Sequence, residues 1–102
     1  MSIKKDGAFE MMEKKYGRLT LARALRAWRE ADNISQSQFA KLLGISVQSL
    51  CDLEKGRRIP TPVRAAKIAK KLGLPEMPMI QLVLRDSLFA DGFKMNVKLE
   101  IA

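Results

Sequence analysis

The chain has 102 residues, 47% of them hydrophobic and 29% charged, with 19 Lys and Arg against 11 Asp and Glu, no His, and a formal net charge of +8. That length suits one small domain with a helical core and is too short for two independent ones, while the apolar share excludes an intrinsically disordered chain. A chain this basic needs an anionic counterpart, and nucleic acid leads over an anionic membrane or a ribosomal surface.

Cys51 is the single cysteine, which excludes an internal disulfide, and no signal-peptide pattern opens the sequence, so a reducing cytoplasm is expected. The most apolar stretch, residues 77–89, is interrupted by Gln81, Arg85 and Asp86 and is too short to span a bilayer. Neither a membrane span nor a membrane partner is expected.

In chain order, residues 1–18 mix both charges between glycines at 7 and 17 and read as an N-terminal arm. Residues 19–90 read as one helical domain. Leu21, Leu25 and Trp28 recur at helical spacing, and Asp32 with Asn33 ends that first helix. Ser35 followed by Gln38 forms a capping-box pattern that opens a short helix burying Phe39, Ala40 and Leu43 and stopping at Gly44. Ser46 can cap a third helix, Val47 to about Lys55, with Leu50 and Leu53 inward and Gln48, Ser49 and Asp52 outward.

Beyond Gly56 lies a basic loop with Arg57 and Arg58. Thr61 and Pro62 then open a fourth helix through Leu72, whose Arg64, Lys67, Lys70 and Lys71 read as a solvated face rather than a flanking DNA contact. A fifth helix over residues 76–90 places Ile80, Val83, Leu84 and Leu88 on one side. Residues 91–102 form the last segment. Within it Phe93, Met95, Val97, Leu99 and Ile101 alternate with polar residues, the period of a half-buried β-strand, which predicts a C-terminal strand able to pair across a dimer.

Two short helices joined by a glycine-containing turn can present the second helix to the DNA major groove. The stretch ISQSQFAKLLGISVQSLCDLEKGRRIP resembles the helix-turn-helix of the Cro and phage-repressor (Xre) family. Gln36, Phe39, Ala40, the Leu43-Gly44-Ile45-Ser46 turn, Leu50, and Leu53-Glu54 followed by Gly56 carry the match. The resemblance implies a mainly α, five-helix, lambda-repressor-like DNA-binding domain, prokaryotic or phage-encoded. It also implies a structural ion pair between Arg29 and Glu54.

By the same resemblance Val47, Gln48, Ser49 and Asp52 face base edges, with Asp52 the weakest of them because phosphates repel a carboxylate. Gln36, Lys55, Arg57 and Arg58 would contact phosphates. The partner implied is double-stranded DNA read by a homodimer acting as a transcriptional regulator, a repressor on an inverted repeat. The chain is also similar to antitoxins of the HigA kind, which repress their own operon and bind a toxin protein. With no His, no Cys pair, no phosphate-cradling glycine loop and scattered carboxylates, no catalysis, metal or cofactor is expected.

Overall fold

The computed structural model describes residues 18–102, so the arm expected at 1–18 lies, apart from Arg18, outside the described residues. Among those residues there are five helices: α1 (Leu21–Ala31), α2 (Gln36–Leu43), α3 (Val47–Glu54), α4 (Pro62–Leu72) and α5 (Glu76–Ala90). Four of the five begin where a hydroxyl side chain accepts a free backbone N–H, from Thr20, Ser35, Ser46 and Thr61. At Ser35 the exchange is reciprocal. Gln38 N–H donates to Ser35 Oγ at 3.1 Å, and Ser35 N–H donates to Gln38 Oε1 at 2.9 Å.

The helix exits depend on left-handed backbone. Gly44, at φ 73°, ends α2 and lets Ile45 N–H reach back to the Ala40 carbonyl at 3.0 Å. Asn33 takes φ 55° after α1, a conformation Asn tolerates better than most residues with a side chain.

Phe39, Leu25, Leu50 and Val83 are the largest fully buried side chains, and with Leu21, Leu43, Leu53, Ile68 and Met79 they join all five helices in one core. Trp28, Ile34 and Ile45 pack against its edge. α4 packs most extensively on α5, while α3 is held between α1 and α2. α3 therefore sits on a scaffold that fixes its inner face.

Two expectations are corrected. Of the expected stripe Ile80, Val83, Leu84 and Leu88 on α5 only Val83 is buried, and the other buried positions are Met79, Arg85 and Asp86. The core face is turned toward the residues that had looked like polar interruptions. Asp86 Oδ2 accepts the Leu21 N–H at 2.9 Å and its Oδ1 accepts from Arg18 at 3.0 Å, while Arg85 donates to the Leu19 carbonyl. A carboxylate from α5 thus serves the entrance of α1, where helix-end N–H groups favour negative charge. Asp86→Ala strands the Leu21 N–H, and a stability loss of about 1–3 kcal/mol in urea denaturation is expected.

The second correction concerns the tail. Phe93, Met95, Val97, Leu99 and Ile101 form no strand among the described residues. A strand needs a neighbour to take its backbone hydrogen bonds, and the helical domain offers no sheet edge. Instead Phe93 N–H closes the end of α5 on the Leu88 carbonyl, and Met95 N–H turns back to Phe93.

Candidate nucleic-acid interface

α3 is amphipathic over only eight residues. Leu50, Leu53 and Glu54 are buried, leaving Val47, Gln48, Cys51 and Asp52 on its open side. Val47 is 44% exposed at the start of the helix. Ser46 fixes the start of the helix by accepting the Ser49 N–H at 3.0 Å, and its hydroxyl donates to Ser49 Oγ at 2.9 Å. Ser49 is consequently drawn to the cap.

The far end of α3 is held by charge. Glu54, only 4% exposed, receives Arg29 Nε at 2.8 Å on one oxygen and Arg29 Nη2 at 3.1 Å on the other. Gln36 Nε2 adds a third donor at 3.0 Å, and Arg29 Nη1 also reaches the Ile34 carbonyl at 3.3 Å. Burial pushes the Glu54 carboxyl up, but the hydrogen bonds from Arg29 and Gln36 together with the Arg29 charge outweigh it and leave it below the ordinary glutamate value. The bond to Glu54 raises Arg29 in turn. One polar knot therefore ties α1, the start of α2 and the end of α3, setting the angle at which α3 leaves the core.

Gln36, expected at the phosphates, thus has one amide N–H committed to Glu54. Lys55 caps α3 and is exposed, as are Arg57 and Arg58 in the loop that follows. Gly56, at φ 75°, turns that loop and lets Arg57 N–H bond the Asp52 carbonyl at 2.9 Å. Arg57 Nη1 then reaches Asp52 Oδ1 at 3.1 Å. The same oxygen accepts Gln48 Nε2 at 3.1 Å. The structure therefore brings Gln48, Asp52 and Arg57 into one exposed cluster, a link that the four-residue spacing of Gln48 and Asp52 could have signalled.

Positive charge continues beyond the loop. A groove of about 680 Å³ between the α2–α3 turn, the α3–α4 loop and α4 is lined by Ser49, Arg58, Arg64, Lys67 and Lys71 among others. Lys70, also on its lining, is paired with Glu76 at 3.3 Å. The described residues contain no cluster of His, Cys, Asp or Glu suited to a metal ion, and no helix long and apolar enough to cross a membrane.

The profile of the helix-turn-helix family matches residues 25–77, more than half of the chain and the whole of the arrangement from the middle of α1 to the start of α5. YazB of Bacillus subtilis (strain 168), an uncharacterized HTH-type transcriptional regulator, is 46% identical over 39 residues, which are 38% of this chain and 56% of that protein. MJ0272 of Methanocaldococcus jannaschii, described in the same words, is 40% identical over 50 residues, 49% of this chain and 76% of that protein. The chain spans little more than half the length of the first of these relatives. No solved structure matches it.

Proposed function

Because the chain belongs to the helix-turn-helix family of the Cro and phage-repressor type, we propose that it is a sequence-specific DNA-binding transcriptional regulator, acting as a repressor that binds an inverted repeat as a homodimer. The observation that carries this reading is the open face of α3. Val47 and Gln48 stand exposed at its start, Arg57 and Arg58 are exposed just past its end, and the opposite face is locked into the core. Gln48 can pair with an adenine edge and Val47 can meet a thymine methyl group. Lys55, Arg57 and Arg58 would hold the phosphates on either side.

One short helix reads few base pairs, so two copies on half-sites about 34 Å apart give the length of sequence a regulator needs. The tail is the proposed seam. Phe93 and Met95 are each about half exposed and Ile101 is 87% exposed, apolar surface that pairing with a two-fold copy would cover. Removal of residues 93–102 is expected to convert a dimer into a monomer in sedimentation velocity. A dimer of unchanged strength would move the seam elsewhere.

Salt-dependent binding to duplex DNA tests the reading. Removing one cation that grips a phosphate lowers the slope of log affinity against log salt by about one. Arg58→Ala is expected to weaken binding on every sequence and to lower that slope by about one. Arg57→Ala should lower the slope by less, because part of its charge is already spent on Asp52, but it should still weaken binding because it leaves that carboxylate uncovered toward the phosphates. Affinity indifferent to salt would refute the interface.

A further inference from the structure

The sequence offers Asp52 as a base reader, but its surroundings fit a different task. Its carboxylate is the shared acceptor of two outward side chains, Gln48 Nε2 and Arg57 Nη1, both at 3.1 Å on Oδ1. Its side chain is 21% exposed against 57% for Arg57, so the acid sits beneath the groups it binds. Ionised carboxylates only accept hydrogen bonds, which forces the Gln48 amide to turn its nitrogen toward Asp52. One N–H is thereby used. The other N–H and Oε1 remain free as an adjacent donor and acceptor, the pattern that pairs with N7 and the N6 amino group of adenine.

We infer that Asp52 is a positioning residue which fixes the Gln48 amide in its adenine-reading orientation, while Arg57 covers the Asp52 charge against the DNA phosphates. This deepens the DNA-reading role proposed above and rests on it. Two costs of recognition fall as a result. Gln48 has less rotamer freedom to lose on binding, and the carboxylate meets the phosphates already paired. The arrangement also selects one orientation of the amide, so the position beneath Gln48 favours A over G, whose N7 and O6 both require donors.

Two measurements on the full chain test this, the first of them without DNA. In the free protein, labelled with nitrogen-15, the Gln48 side-chain amide resonances are expected to move on Asp52→Ala. Unchanged resonances would mean that the hydrogen bond is absent. On the DNA site selected by the wild-type chain, Gln48→Ala should reduce discrimination at one base position by about tenfold or more. Asp52→Ala should reduce it at that same position by about three- to tenfold and add nothing in the Gln48→Ala background.

Asp52→Asn, which keeps an acceptor oxygen in the same shape, should retain most of the discrimination and guards against a folding defect. Loss at a different base position, additive with Gln48→Ala, would make Asp52 a direct reader and overturn the inference. Resonances that move as expected in a chain with no preferred DNA sequence would instead refute the DNA-reading role itself.

Discussion

Glu54→Ala is expected to lower stability by about 3 kcal/mol. Removing one partner of a buried pair leaves the other charge without its counterion, and measured losses for such truncations run at about 3–5 kcal/mol. The low end applies because the Arg29 side chain keeps 17% of its surface in water. The truncation also strips Gln36 of its acceptor. Against a total of about 5–15 kcal/mol for a domain of this kind, urea denaturation should register a clear fall in midpoint. DNA binding should weaken as well, since Glu54 fixes the end of α3.

The same carboxylate makes stability depend on pH with a definite sign. Its folded value lies below its unfolded one, near 4.5, so its contribution is full above the unfolded value and is lost as pH falls through the depressed folded value. Glu54→Gln removes that proton linkage. The gap in urea midpoint between wild type and Glu54→Gln should therefore be constant at neutral pH and narrow steadily in the acid range. A gap that widens on acidification would mean the carboxyl is raised by burial rather than held down by Arg29.

Gln48→Ala is expected to have the opposite profile, leaving the fold intact and damaging recognition. Gln48 is exposed and lies outside the core, and Ala is the better helix former, so stability in urea denaturation should stay within about 0.5 kcal/mol of wild type. On the preferred DNA site the loss should be about 1–3 kcal/mol, with one base position relaxed. Arg58→Ala provides the contrast, because a cation that grips phosphate matters about equally on every sequence. Equal weakening on all sequences for Gln48→Ala would place that side chain among the phosphate-binding groups instead.

The features behind these effects differ in how visible they are in the sequence. Helix limits were legible at most local caps: Ser35 with Gln38, Ser46, Thr61 with Pro62, and Gly44 all act on backbone within a few residues, although Thr20, which caps α1 just as locally, was missed. Asp86 was not, because the N–H it serves lies 65 residues away on α1. A carboxylate amid apolar residues carries no sign of a distant helix end. The phase of α5 was obscured for the same reason, with Arg85 and Asp86 occupying its buried face.

The tail shows the converse limit. Alternation at Phe93, Met95, Val97, Leu99 and Ile101 describes side chains, whereas a strand is made by backbone partners, which a single copy of this domain does not supply. Within the interface, the resemblance placed residues on α3 but left the bonds among them unspecified. That Gln36 turns to Glu54, and that Arg57 joins the i, i+4 pair of Gln48 and Asp52, is visible only in three dimensions.

If the open face of α3 reads a specific DNA sequence, selection of duplexes bound by the full chain from a random pool, at fixed and stated salt, tests it most directly. The expected result is enrichment of an inverted repeat with half-sites about 10 base pairs apart and an A·T pair at the position relaxed by Gln48→Ala. Recovery of a pool with no preferred sequence would contradict it.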